Sequence, residues 1–422
     1  MRIAQIAGSM RILLSDGSGL TSRQVATQAA ASGHVVEAVA PTWLGPASFT
    51  RHVRRVHRVP AFGRDPEGWL EATLEVLRTG EHDVLLGTHE QVALLARDAA
   101  RVAELGVALA VPPFASLLRV QDKVAQATTL REVGLPHPPT WVATSREELL
   151  ARAAPPVYLK APIGTASNAV RLASDRAGLL QAASDFELAD GVVVQDSVPG
   201  PLVMVQAVFG HGELLAWHVN LREREGSSGG ACAKRSVALP VVGHHLQSLG
   251  SALQWHGALS LDAILTPDGP RYIDLNPRLV EPANAWRAGV DLVATLLAVS
   301  TGERVNPIPP GRPGVRTHQL LLAILGAAQH GGGRRGIARE LAATLAHRGP
   351  YAGSTEELTP LGGDPLAAIP VAAAALATLT RPASWRLFTD GAVSAYALTP
   401  TAWQQILSNP AACQQTAADL RQ

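Results

Sequence analysis

The sequence predicts an α/β protein: an N-terminal open parallel α/β domain, a middle portion mixing strands with helices, and a mostly helical C-terminal region. Three observations carry this reading. Short apolar runs alternate with loop-and-helix patterns through the first 112 or so residues. A hairpin pattern and two acidic strands occupy 202–278, and beyond the linker-like NPIPPGRPG of 306–314 the chain becomes alanine-rich. A chain of 422 residues exceeds one ordinary core, so several domains are expected.

Arg11 to Leu14 reads as the first strand. The turn SDGSGLTSRQ, a helix over Gln24 to Ala31 and a strand from Val35 to Ala40 follow, a βαβ start. Further strands are expected at Asp83 to Gly87 and at Gly106 to Val111. Met1 to Ser9 read as an extension ahead of the first strand, without the pattern of a signal peptide. A helix is expected from Arg119 to Gly134, a strand from Val157 to Lys160 ending in the turn KAPIGTASNAV, a helix from Arg176 and a strand from Gly191 to Gln195. Leu202–Phe209 and Glu213–Asn220, separated by GHG, read as a hairpin. REREGSSGGACAKR then reads as a charged, glycine-rich loop before a helix from His244 to Gln254.

Lys plus Arg number 36 against 35 Asp plus Glu, which argues against bulk nucleic-acid binding and polybasic membrane attachment. The two cysteines, Cys232 and Cys413, have no metal-ligand spacing and suit a reducing cytoplasm. No apolar run is long enough to span a bilayer. SDGSG at 15–19 lacks the spacing of a dinucleotide fingerprint and reads as a tight strand-to-helix turn.

The chemistry concentrates in LSLDAIL (259–265) and YIDLNPR (272–278). Strand alternation puts Asp274, Asn276 and Arg278 on one face, with Tyr272 on the same side. Pairing through the TPDG turn brings Asp262 beside Asp274, and two carboxylates with one amide oxygen form a hard-oxygen set suited to Mg²⁺. Taken alone, DxNxR also reads as a structural ion pair. Lys123, at the start of a helix, and Lys160, at the end of a strand, are placed to meet phosphates as point charges, although each taken alone reads more readily as an ordinary surface group.

In order, QDK (121–123), VYLKAPIGTASNAV (157–170), VVQDSVPG (193–200) and ALSLDAIL…YIDLNPR (258–278) resemble the ATP-grasp superfamily of carboxylate–amine ligases, in its carbamoyl-phosphate-synthetase-like group. The similarity covers about 115–305. It implies a pre-ATP-grasp domain over 1–112, a two-lobed α+β ATP-grasp module over 113–305 (small lobe 113–190, metal-binding lobe 191–305) and a C-terminal region over 306–422. It implies ATP and Mg²⁺ as cofactors, with Mn²⁺ as a substitute. Lys123 and Lys160 become phosphate ligands, Gly164, Thr165, Ala166 and Ser167 a flexible phosphate lid, and Gln195, Asp196, Ser197 and Val198 the adenine segment. Asp262, Asp274 and Asn276 become metal ligands, and Arg278 stabilises the transferred phosphoryl group. The segment holding Arg222 and Arg235 resembles an Arg-then-GG loop that closes over substrate.

Two departures stand out. Gln195 replaces a common glutamate with only apolar Leu202 and Val203 near the ribose, and aspartates at 262 and 274 shorten the reach of two usual glutamates. The implied activity is a cytoplasmic ligase that activates a small carboxylate as an acylphosphate and joins it to an amine, with a homodimer as the assembly considered. The alternatives are another nucleophile such as a thiol, a phosphoryl transferase, or a nucleotide-binding protein without turnover.

Overall fold

The computed structural model describes residues 8–165, 169–358 and 363–408. Four parallel strands, β1 (Arg11–Leu14), β2 (Val35–Ala40), β3 (Arg55–Arg58) and β4 (Val84–Leu86), form the N-terminal sheet in the order β3-β2-β1-β4. Ile12, Leu13 and Leu14 are wholly buried, as expected where a parallel sheet is covered on both faces. Helix Leu20–Ala31 and helix Leu292–Ser300 cover one face; helix Pro66–Arg78 and the C-terminal Ala402, Trp403 and Ile406 cover the other. Two readings change here. Gly106–Val111 contributes only a bridge between Val84 and Ala108, its flanking prolines curtailing the ladder. The strand β3, RVHR, was not anticipated because it lacks an apolar run.

A small lobe follows, with β5 (Thr140–Ala143), β6 (Val157–Lys160), β7 (Val170–Ala173) and β8 (Val192–Asp196) in the order β5-β8-β6-β7. The expected helix over 119–134 is two helices, Phe114–Gln121 and Lys123–Val133. Asp122 breaks them: its backbone is extended and its carboxylate accepts from the N–H groups of Val124 and Ala125, a cap that starts the second helix at Lys123.

The large sheet has seven strands: β9 (Leu202–Gly210), β10 (Glu213–Glu225), β11 (Ala231–Ser236), β12 (Gly257–Thr266), β13 (Gly269–Asn276), β14 (Arg316–His318) and β15 (Ser354–Glu356). Their order is β13-β12-β9-β10-β11-β14-β15. Helix Pro240–Leu253 packs Val242, Leu246 and Leu249 on one face, against Val203, Val205 and Leu259. The segment expected as a mobile loop at 222–235 is instead a hairpin: β10 runs on to Glu225, pairs with β11, and closes through Gly226 N–H on Gly230 O. The C-terminal region is mostly helical as expected, yet β14 and β15 extend the large sheet.

Past β1 the chain enters helix Leu20–Ala31 through Asp16, whose Oδ2 accepts the N–H groups of Ser18 and Gly19, each at 2.8 Å. Burial pushes the Asp16 carboxyl up to about 6 against these bonds, and burial holds its neighbour His89 well below its usual range, hence neutral. A carboxyl raised in the folded state adds stability below about pH 4 that is lost as pH rises through its folded value. Asp16→Asn is therefore expected to remove the fall in stability between about pH 4 and 6 and to raise the urea midpoint at neutral pH. Urea titrations across pH check this; parallel pH profiles for the two proteins would contradict it.

Candidate active site

β12 and β13 pair antiparallel, with Asp262 opposite Asp274 and Ser260 opposite Asn276. Like charges directly opposite one another are destabilising, so this pairing demands cations. A bulge between Asp262 and Ala263 leaves Ile273 outside the regular register. It also corrects the expected orientation of Tyr272, which turns into the core with Leu275 and is wholly buried, because one extra residue reverses the alternation. The freed carbonyl of Ile273 accepts from Lys160 Nζ at 2.5 Å.

Lys160 arrives at the end of β6, and Lys123 arrives because Asp122 starts its helix there. Lys123 Nζ forms an ion pair with Asp274 Oδ1. Gln126 holds the same helix against β13 by donating to Leu275 O at 2.9 Å. Burial, aided by Asp274, pushes Asp262 up to about 7. Burial acts the same way on Asp274, but Lys123 and Lys160 overcome it and leave that carboxyl below its usual range. Burial lowers Lys160 to about 8 against the attraction of both aspartates. The result is two carboxylates and two lysines within electrostatic reach of one another, one acid and one base shifted toward neutrality.

Asn276 lies on the strand beside Ser260, whose Oγ donates to Arg278 O at 2.7 Å and fixes the turn after β13. Arg278 is 9% exposed, its Nη2 donates to Glu90 Oε1 at 2.9 Å, and its Nε has no partner. A buried guanidinium N–H without an acceptor is costly and suits an anion. The same sheet face continues through Gln206 and Asn220, both buried, whose side-chain oxygens also lack partners. Beyond them Lys234 sits between Glu281 at 2.5 Å and Glu357 at 2.8 Å.

The remaining expected residues fall as follows. Gly164 makes a turn so close that an added Cβ would lie 2.1 Å from Ala169 Cβ. Thr165 is buried and its Oγ1 accepts from Leu398 N–H at 3.0 Å, which pins the expected flexible lid to the C-terminal segment. Ala166 and Ser167 lie outside the described residues. Gln195 is buried and donates to Thr140 Oγ1 at 3.2 Å; Asp196 ends β8, and Ser197 and Val198 begin the crossing to β9. Val203 lies in the core, so it offers the ribose nothing polar. Arg222 acts electrostatically on Asp262, while its own head group reaches Gly229 O and Glu225. Arg235 corrects its assignment. It pairs with Leu221 on the neighbouring strand, and alternation turns it away from Lys234 and Arg222. Glu223 holds it at 2.8 Å, with Arg316 on the same carboxylate. The basic group on the site's side of β11 is Lys234.

Glu90, Glu281, Gln206, Asn220 and Tyr396 were not anticipated. Glu90 had a readable signal, since it follows the carboxyl end of a parallel strand, where ligand sites of α/β sheets gather. Tyr396 had none: it comes from the helix Trp385–Tyr396, lies tilted against His89 with ring centres 4.1 Å apart, and is within the electrostatic reach of Arg278, Asp16 and Glu90. The space enclosed by Lys123, Gln126, Thr140, Lys160, Val193 and Gln195 is about 10 Å³. A larger cavity of about 480 Å³, between the small lobe and Trp403, includes none of the paired aspartates and lysines.

No protein-family model matches the sequence, and no curated protein matches it. Solved structures do. The biotin carboxylase domain of a 2-oxoglutarate carboxylase from Hydrogenobacter thermophilus is 16% identical, with 73% of this chain and 74% of that one covered and a TM-score of 0.60. A biotin carboxylase from Campylobacter jejuni is 15% identical over 73% and 74%, TM-score 0.58. An N5-carboxyaminoimidazole ribonucleotide synthetase from Thermus thermophilus is 19% identical over 73% and 81%, TM-score 0.55. The chain therefore has the ATP-grasp fold, as the motif order implied. Among the described residues no helix is long and apolar enough to cross a membrane.

Removing one partner from a buried ion pair typically costs about 3–5 kcal/mol, against less than about 1 for an exposed pair. Glu90→Gln strips Arg278 of its carboxylate, whereas Glu223→Gln touches only the partly exposed Arg235 and Arg316. Chemical denaturation should show a large loss for the first and a small one for the second. Equal losses would mean that Arg278 does not depend on Glu90.

Proposed function

We propose that the protein is an ATP- and Mg²⁺-dependent ligase that activates a carboxylate as an acylphosphate and joins it to an amine, releasing ADP and phosphate. The observation that carries this is convergence. Lys123, Lys160, Asp262, Asp274, Asn276 and Arg278 come from separate segments and gather at the β12–β13 end of one sheet face. The donor set fits Mg²⁺: two carboxylates and an amide oxygen, with no soft ligand among them. Bound there, Mg²⁺ would neutralise phosphate oxygens.

The chain's own groups supply the rest. Lys123 and Lys160 exchange their present acceptors, Asp274 and the Ile273 carbonyl, for phosphate oxygens. A space of about 10 Å³ cannot hold a nucleotide, so the small lobe must move away from β13 to admit one, with Gln195 to Val198 beside the base. Arg278 Nε, buried and unpaired, donates to charge that develops as the phosphoryl group passes to the carboxylate. The carboxylate lies along the face that holds Lys234, and the unsatisfied side-chain oxygens of Gln206 and Asn220 suit the N–H donors of the amine. Burial excludes the water that would hydrolyse an acylphosphate.

The Hydrogenobacter structure is a dimer in complex with MgADP, ADP and bicarbonate, which supports ATP and Mg²⁺ here, puts bicarbonate among the carboxylates to try and supports a homodimer. Incubation with ATP, Mg²⁺ and a panel of carboxylates and amines, followed by mass spectrometry, should yield ADP and a condensed product. Asp274→Ala and Asn276→Ala should each lower the rate by about 10²–10³ or more, the scale seen when one charge stabiliser is lost, with the fold intact. Thioester products would favour a different nucleophile. Nucleotide binding without ADP from any combination would favour a sensor, and unchanged ADP formation in either variant would remove the metal assignment.

A further inference from the structure

On the opposite, amino-terminal side of the N-terminal sheet lies a cluster the ligase reaction does not use. Glu37 on β2, His57 on β3 and His82 in the turn before β4 bring their ligand atoms within 4.8 Å of one another. His57 Nε2 lies 2.6 Å and His82 Nε2 3.3 Å from the same oxygen, Glu37 Oε2. The imidazole rings meet edge-on, 6.0 Å apart.

The position makes the carboxylate unusual. Glu37 pairs with Leu13 across the sheet and alternates with Val39, and both neighbours belong to the apolar core on that face. A carboxylate there is 4% exposed and costs free energy unless it is compensated. Among the described residues its ion-pair partners are two imidazoles and no lysine or arginine. Two imidazoles with one carboxylate are a donor set for Zn²⁺, Co²⁺ or Ni²⁺ and a poor one for Mg²⁺. Ligands about 2.0–2.1 Å from a tetrahedral ion stand roughly 3.3–3.4 Å from each other, which is the His82–Glu37 separation; the hydrogen-bonded His57 needs to withdraw by under about 1 Å. His57 keeps 14% of its side chain exposed, leaving an approach for the ion and for a water as fourth ligand.

We propose that Glu37, His57 and His82 form a binding site for a divalent transition-metal ion that clips β2, β3 and the turn before β4 together, apart from the Mg²⁺ site. Three separate elements supply the ligands, so no local sequence spacing announces them. The clip is structural: Glu90, which holds Arg278 of the ligase site, follows the carboxyl end of β4, whereas His82 precedes that strand.

Cobalt titration of chelator-treated full-length protein, with Mg²⁺ held in excess to occupy the aspartate site, tests this. One equivalent of Co²⁺ should give the intense visible absorption of a tetrahedral site with nitrogen ligands, unlike the pale octahedral spectrum of an oxygen site. Zn²⁺ should displace it and raise Tm. His57→Ala, at the exposed edge of the cluster, should abolish both effects while leaving circular dichroism unchanged, and His82→Gln should do the same. Absence of the spectrum and of the Tm rise in the wild-type chain, or their persistence in a folded His57→Ala protein, would overturn the site and leave a hydrogen-bonded His–Glu–His cluster only.

Discussion

The ion pair between Lys123 and Asp274 is the interaction on which the site turns. Two aspartates face each other across neighbouring strands, an arrangement stable only with positive charge nearby. In this structure two lysines provide it, one on Asp274 and one on the bulge carbonyl beside it. In the proposed ligase, Mg²⁺ would take the place of lysine at the carboxylates and phosphates would take the place of carboxylate at the lysines. Burial is the main cause of the shifts at this junction, Asp262 up to about 7 and Lys160 down to about 8, each against the pull of the opposite charges.

The rest of the molecule holds that junction in place. The Asp122 cap sets where Lys123 starts, Gln126 fastens its helix to β13, and Glu90 of the N-terminal domain holds Arg278. The C-terminal region closes the far side. Glu357 shares Lys234 with Glu281 and accepts from Gln24 at 3.0 Å, so one network joins four stretches of chain. Leu398 and Thr165 link the same region to the turn after β6, while Leu398 packs with Phe62 and Trp69 in the core of the N-terminal domain. A small lobe that opens must therefore release the Leu398 contact or carry that segment with it.

How much of this was legible in the sequence depended on the range of the interaction. Opposed Asp262 and Asp274 could be read because a short TPDG turn fixes register between adjacent strands. The N-terminal βαβ pattern was equally local. Tyr272 could not be oriented, because a bulge of one residue reverses a face and leaves no compositional trace. The hairpin at 222–235 read as a loop because its alternating residues are charged on both faces, the basic groups having acidic partners within the hairpin, Glu223 for Arg235, or far away, Glu340 for Arg224 and Glu281 and Glu357 for Lys234. Glu90 lies 188 residues from Arg278, and Tyr396 comes from a tail with no motif. Such partners become visible only once the chain is folded.

The central claim is that Mg²⁺ and nucleotide phosphate together replace the lysine–aspartate contacts. Calorimetric titration with a non-hydrolysable ATP analogue, with and without Mg²⁺, in the wild-type chain and in Asp262→Asn/Asp274→Asn, tests it most directly. The account predicts binding that is much tighter with Mg²⁺ in the wild type and a Mg²⁺ effect that disappears in the double variant. Equal affinity with and without Mg²⁺ in the wild type, or a full Mg²⁺ effect in the double variant, would contradict it.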